Sequence, residues 1–347
     1  MKRHKDIFEC KYGDILALEV INKNGVTIVA ANTAINGYIK EKLIHIGVRD
    51  VFVYEFENEK RNSVDNDKFN QFKKNYENNV AALRETIHDL ATGKNLNDRR
   101  IQDISDSLYQ EMKETKHMIK CLNDIKNTDH YTYRHSINVA FYAMLIGKWL
   151  KLSKCEIQDL IKAALLHDIG KIKVCNEILN KKGRLQPEEF EEIKKHTIYG
   201  YDILQGIAGL SEDIKRAVLM HHEREDHSGY PMGIKGDEID KYSKIVAVAD
   251  VYDAMTSDRV YKKRATPFEA FKMFETEGMH IFDVKIIRTF LTNLAPYFTG
   301  SKVLLNTGAL GELVYIPPHN ITKPIIRIGF EYVDTSERKD LRIASML

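Results

Sequence analysis

The sequence predicts a mainly α protein: an all-helical core between a small β-rich N-terminal module and a short β-rich C-terminal segment. Three observations predict it. Residues 14–54 alternate apolar runs with turn signals, residues 65–298 carry apolar positions at helical spacing, and the chain after Gly300 returns to short apolar runs. The boundaries this implies are 1–62 for an accessory or regulatory module, 63–120 for a helical connector, 121–298 for the helical core and 299–347 for the C-terminal segment.

Asp14 to Asn22 reads as a strand, Asn24-Gly25 as a tight turn and Val26 to Ala30 as the partner strand. Ala34 to Ile46 has helical spacing and ends at Gly47, and Val51 to Tyr54 reads as another strand. In the connector, Leu83, Ile87 and Leu90 recur at helical spacing, as do Ile101, Ile104 and Leu108, with Gly93-Lys-Asn-Leu-Asn separating two helices. Packing of these helices against the chain's own core is favoured over a coiled homodimer contact. The C-terminal strands are expected at Lys302 to Leu305, Gly311 to Ile316 and Ile325 to Ile328, with Pro317-Pro318 in a turn.

A length of 347 residues suits two or three domains, and 43% hydrophobic with 29% charged content is that of an ordinary globular chain. The formal net charge of +2 gives no field that would draw the protein to a DNA or RNA polymer or a membrane surface. Four cysteines form no CxxC pair and read as reduced thiols. MKRHKDIFEC lacks the apolar stretch of a secretory signal, and Ile137 to Leu150 is too short and too interrupted to span a bilayer. A cytoplasmic protein is expected.

The middle third carries the chemistry. His135, His167 with Asp168, His196, His221 with His222, and Asp250 supply seven N and O donors, more than one metal ion needs and enough for two with positions left open. A lone histidine on a helix is usually a satisfied core or surface residue, so His45, His88, His117, His280 and His319 are given no role. His167-Asp168 differs: it ends the apolar run Ala163 to Leu166 and is followed by Ile169-Gly170-Lys171, where Gly170 is expected to let the backbone turn. His221-His222 repeats the device after Ala217 to Met220. His196 follows the amphipathic run Glu188 to Lys195, and Asp250 closes the apolar run Ile245 to Ala249, where a carboxylate needs a partner. Together they read as the site of a metal-dependent hydrolase.

The ordered series His135-Ser136, His167-Asp168-Ile-Gly-Lys171, His196, His221-His222-Glu-Arg, Ser228-Gly-Tyr-Pro231, Asp250 and Asp253-Ala-Met-Thr-Ser-Asp-Arg259-Val-Tyr-Lys262 resembles the HD-GYP family, a subgroup of the HD-domain metal-dependent phosphohydrolases. The similarity covers about residues 129–298. It implies an all-helical bacterial phosphodiesterase of the second messenger cyclic di-GMP. The implied metal ligands are His135, His167, Asp168, His196, His221, His222 and Asp250, with Asp168 bridging two ions.

Family members with three metals carry a Glu four residues before the first ligand histidine. Tyr131 stands there in this chain, so the resemblance favours a binuclear centre, with iron or manganese as cofactor and zinc admissible. Lys171, Arg259 and Lys262 match positions that contact phosphate or guanine, and Tyr230 shapes the pocket. Asp168 and Lys171 are the catalytic candidates, through a metal-activated water and charge compensation at the phosphoryl oxygens, giving pGpG and then GMP.

The usual Asp-Gly-Ser-Gly-Tyr-Pro turn reads Asp226-His227-Ser228-Gly229-Tyr230-Pro231, and a histidine at that second position is strained if the turn needs positive φ. Two other readings stand beside the first: a hydrolase of another cyclic or linear nucleotide, such as cyclic GMP-AMP, and a non-catalytic cyclic di-GMP sensor or interaction module. A homodimer and signalling-protein partners are the expected associations.

Overall fold

The computed structural model describes residues 2–10, 15–16, 18–21, 27–29, 35, 37–54, 63–124, 131–181, 183–207, 209–257, 264–338 and 340–347. The chain divides into two compact units, Met1–Asp67 with Arg327–Val333, and Lys68–Ile326 with Asp334–Leu347.

The smaller unit contains β1 (Lys2–Asp6), β2 (Ile15–Leu16), β3 (Val20–Ile21), β4 (Thr27–Val29), α1 (Gly37–His45) and β5 (Asp50–Tyr54). Among the described residues, β1, β5 and β2 form one antiparallel sheet in that order, and β3 pairs with β4. The strand expected over 14–22 is thus two short strands serving different partners, and the Asn24-Gly25 turn lies outside the described residues. Ile7, Leu16, Val29, Ile35, Leu43, Val51 and Val53 close this unit's core. Gly47, at φ +80, ends α1 by letting Val48 N reach back to Leu43 O at 3.0 Å.

The larger unit runs through α2 (Ser63–Ala91, its first residues lying in the smaller unit), α3 (Asp98–Glu111), α4 (Thr115–Asp124), α5 (Tyr131–Trp149) and α6 (Lys154–Leu166). It continues with α7 (Asn176–Leu179), α8 (Pro187–Lys194), α9 (His196–Gln205), α10 (Glu212–Met220), α11 (Lys241–Thr256), α12 (Pro267–Met273), α13 (Met279–Ile281) and α14 (Val284–Leu294). Strands β6 (Lys302–Leu305), β7 (Leu310–Tyr315), β8 (Ile325–Ile328), β9 (Glu331–Asp334) and β10 (Ile343–Met346) follow, with Arg327–Val333 of β8 and β9 counted in the smaller unit and β6 pairing antiparallel with both β7 and β10.

The connector helices pack on the core. Ile101, Ile104, Ser105 and Leu108 bury one face of α3, and Ser105 Oγ donates to Gln158 O on α6 at 3.2 Å. Helix α5 is buried from His135 to Gly147 because it lies at the centre, against α6, α11 and α14. Tyr142 meets Tyr252 edge-on at 4.8 Å, and Tyr252 meets Phe290 at 5.0 Å, tying α5, α11 and α14 together. Among the described residues no helix is long and apolar enough to cross a membrane.

Candidate metal centre

Helix α6 starts at a capping box, Ser153 with Glu156, and its apolar face (Ile157, Leu160, Ile161, Ala164, Leu165) drives it into the core. Its last carbonyls therefore open inside the protein, where His167 is the C-cap and Asp168 begins a short 3-10 helix, Ile169–Lys173. Gly170 has no positive φ, so its task is not the turn expected from sequence. It is close approach: a Cβ there would lie 1.9 Å from His196 O and 2.4 Å from Gly200 N, so glycine lets this segment press against α9. That contact brings His196, the first residue of α9, to Asp168.

All seven expected donors converge. Asp168, His196, His221 and His222 form one group and His135, His167 and Asp250 another, the ligand atoms within each lying within 4.8 Å of one another. Asp168 stands between them, with Oδ1 3.4 Å from His196 Nε2 and Oδ2 3.3 Å from His167 Nε2 and 4.0 Å from His135 Nε2. Asp250 Oδ1 lies 3.1 Å from His135 Nε2.

The rings are aimed by their other nitrogens. Nδ1 of His167, His196 and His221 is bonded to the carbonyl three residues earlier, on Ala164 (2.7 Å), Ile193 (2.7 Å) and Val218 (2.9 Å). His135 Nδ1 is bonded to Asp253 Oδ2 at 2.8 Å. With the Nδ1 proton donated outward, Nε2 of His167, His196 and His221 turns a lone pair inward, the arrangement of a metal-ligating imidazole, whereas His135 Nε2 faces the Asp250 carboxylate.

The donors fit a cation. His167 Nε2 is buried without a hydrogen-bond partner, and the Nε2 atoms of His196 and His221 face each other at 3.4 Å. Bare nitrogens so placed are costly in a buried setting unless a positive charge lies among them.

Electrostatics agree. Burial pushes His196 down and His221 well down, and takes His222 to about 3, so these rings stay neutral. Burial would raise Asp168, but the Lys171 ammonium and the imidazoles of His167 and His196 outweigh it and hold the carboxyl well below its usual range. Asp250 is likewise held ionised, burial being outweighed mainly by His135. Burial lowers His135, yet the contacts with Asp250 and Asp253 overcome that and raise it to about 9.

Around this centre, Lys171 Nζ donates to Asp168 Oδ2 at 2.6 Å. The Tyr230 ring stacks on His222, centroids 4.6 Å apart, and Lys194 Nζ lies 5.6 Å over the same ring. Arg259, Lys262 and the side chain of Tyr131 lie outside the described residues.

Sequence reasoning gave no role to Asp253, Asn138 or Glu223. Asp253 is fully buried behind His135 and also accepts from Asn138 Nδ2 at 3.0 Å and Ser257 Oγ at 2.9 Å. Glu223, 2% exposed, accepts the backbone N–H groups of Met232, Gly233 and Ile234 at 2.7, 3.1 and 3.3 Å and so anchors the Gly-Tyr-Pro loop. Its place directly after His221-His222 was the available signal.

Comparison with known proteins agrees with this geometry. The HD-domain family pattern matches residues 102–286. A cyclic di-GMP phosphodiesterase of Pseudomonas aeruginosa is 32% identical over 250 residues, covering 72% of this chain and 60% of that protein. A 3'3'-cGAMP-specific phosphodiesterase of Vibrio cholerae is 38% identical over 150 residues, covering 43% of this chain and 32% of that protein. The chain thus spans between about a third and three fifths of the length of these relatives. The solved structure of an HDG"Y"P protein from Bdellovibrio bacteriovorus shares the fold, with a TM-score of 0.52 at 16% identity over 85% of this chain and 99% of that one. From the match over more than half its length and the ordered donor series that it encloses, the chain belongs to the HD-domain family, in its HD-GYP branch.

Proposed function

We propose that the chain is a metal-dependent phosphodiesterase that hydrolyses cyclic di-GMP to linear pGpG and, by a second cut, to GMP. The observation that supports this most is the position of Asp168, one oxygen toward His196 and the other toward His167. A carboxylate so placed suits two cations a short distance apart, one held with His196, His221 and His222, the other with His135, His167 and Asp250. Nitrogen and oxygen donors without thiolate fit iron or manganese, and zinc is chemically acceptable. Divalent ions bound there supply a water of lowered pKa and offset charge on the phosphoryl oxygens.

The chain's own residues bind and orient. Asp168 and Asp250 stay ionised, as ligands must. Lys171 places its Nζ beside Asp168, where it would oppose negative charge developing on a phosphoryl group bound at the centre. Tyr230, backed by His222, offers an aromatic face to a guanine. Burial pushes the Tyr230 phenol well above its usual value, so it stays protonated and able to donate. Arg259 and Lys262 would complete the anion-binding side.

Both relatives are named as phosphodiesterases of cyclic dinucleotides, which supports the substrate class. The second favours cyclic GMP-AMP as the rival substrate. The test is hydrolysis by Mn(II)- or Fe(II)-loaded protein of each dinucleotide in parallel, products separated by chromatography, with Asp168→Ala as control. Production of pGpG or GMP that disappears in the variant supports the proposal. Faster cleavage of cyclic GMP-AMP would reassign the substrate. Metal-loaded protein that binds cyclic di-GMP and cleaves neither would make it a sensor.

A further inference from the structure

We infer that Tyr76, on α2 and outside the HD-domain match, is a positioning residue for His135, acting through Asn138 and Asp253; this rests on the metal-centre reading above. His135 directs Nε2 toward Asp250 and Asp168 while its Nδ1 is bonded to Asp253 Oδ2 at 2.8 Å. The Asp253 carboxylate is fixed in turn by Asn138, whose Nδ2 donates to Oδ1 at 3.0 Å. The opposite end of that amide, Asn138 Oδ1, accepts the Tyr76 hydroxyl at 2.8 Å. All four groups are buried, Tyr76 at 1%, Asn138 at 6%, Asp253 at 0% and His135 at 5% exposure.

In such a dry setting each link constrains the next. Asn138 can serve Asp253 only with its nitrogen on that side, which leaves its carbonyl oxygen facing α2 and in need of a donor. Tyr76 supplies it. Without the hydroxyl, the amide recovers a hydrogen bond only by turning, and turning withdraws Nδ2 from Asp253. The carboxylate then loses a constraint on its plane, and with it the ring of His135 loses its fixed aim.

The phenol is held independently of this chain of bonds. Glu77, the next residue, makes a two-point pair with Arg134, at 3.0 and 2.8 Å, beside His135 on α5. The Arg134 guanidinium lies 5.7 Å over the Tyr76 ring, which also packs against Phe72 and Phe141. Phe72 and Phe141 fill the same cluster as plain aromatics, so packing alone does not call for a hydroxyl.

The test is Tyr76→Phe in the full chain, titrated with Co(II) and read by visible absorption, beside Glu77→Gln, which weakens the α2–α5 pair and leaves the phenol in place. Tyr76→Phe is expected to shift the Co(II) bands and weaken binding roughly three- to tenfold, less than the 10- to 100-fold that follows loss of a direct partner of a ligand histidine. Glu77→Gln is expected to keep the wild-type bands even if its melting temperature falls. A Co(II)-binding wild type whose bands and affinity Tyr76→Phe reproduces would overturn this inference alone, and so would equal changes in both variants. A wild type that takes up no Co(II) would overturn the metal-centre reading together with it.

Discussion

Nε2 of His196 faces Nε2 of His221 across 3.4 Å, while both rings have committed Nδ1 to the carbonyls of Ile193 and Val218. Two lone pairs at that distance repel, and a cation seated among them reverses the sign of the interaction. Metal should therefore bind the folded chain far better than the unfolded one. Metal at about 100 times its Kd would add about 2.7 kcal/mol, or roughly 5 to 10 °C in Tm for a domain of this size. His221→Ala removes a donor from one group only. It should lose about half of the bound metal by elemental analysis and much of the Tm response; an unchanged metal content would dissociate His221 from the centre.

The same buried rings set a pH dependence for the metal-free protein. His196, His221 and His222 are held neutral by burial, His222 down to about 3, whereas the unfolded chain takes up their protons below about pH 6.5. Below that pH the unfolded state binds more protons, so stability is lost as the pH is lowered, by roughly 1.4 kcal/mol per unit for each ring fully titrating. His135 acts with the opposite sign. Raised to about 9, its contribution is complete below about pH 6.5 and is lost as pH rises through 9. Melting of chelated protein between pH 5 and 9 should therefore peak near neutrality, and a flat acid limb would mean that these rings reach solvent on protonation.

Glu223 holds the Gly-Tyr-Pro loop by accepting three successive backbone N–H groups with one carboxylate. Packing there is close: a Cβ on Gly229 would lie 2.4 Å from Glu223 Cα. Glu223→Gln replaces one acceptor oxygen by an NH2 that must face an N–H donor. About 2 kcal/mol of stability should go with it, the range for hydrogen bonds to a charged group. Because Glu223 is not among the seven donors, metal content should hold while the loop loosens, raising KM for the dinucleotide. Loss of metal in this variant would show that the loop and the donors are a single unit.

Six of the seven donors were legible because they end or follow a run of apolar or amphipathic helix, His135 because it opens one, and their order along the chain is specific. Their supports were not. Asn138 and Asp253 are far apart in sequence, and only the packing of α5 on α11 makes them neighbours. Tyr76 looked like any apolar position of a connector helix. Strand β1 escaped notice because Lys2-Arg-His-Lys-Asp6 carries no apolar alternation; it lies at the end of the order β1–β5–β2, where a charged strand is tolerated. Lys302 to Leu305 and Ile325 to Ile328 matched β6 and β8 because their boundaries are marked by turn residues. The role of Gly170 was misread since a sequence shows that a glycine is present, not which backbone it lies against.

His227 shows the reverse case, a local strain readable in advance. It occupies φ 67, the left-handed region, in a turn where the family carries glycine. Its N–H bonds Arg224 O at 3.1 Å and Asp226 Oδ1 accepts from Ser228 N and Oγ at 3.0 and 2.6 Å, so neighbouring bonds hold the turn in this conformation despite the side chain. For a non-glycine residue the left-handed conformation costs about 1 to 2 kcal/mol, and glycine gives back roughly 0.4 to 1 kcal/mol through greater freedom when unfolded. His227→Gly should therefore stabilise by about 0.5 to 1 kcal/mol, a Tm rise of roughly 1 to 4 °C. His227→Ala separates the backbone from the imidazole, since alanine keeps the strain and removes the ring. If glycine raises Tm and alanine does not, the histidine is tolerated rather than required. If both lower turnover of the dinucleotide while Tm holds or rises, the ring at 227 contributes to the substrate side of the loop.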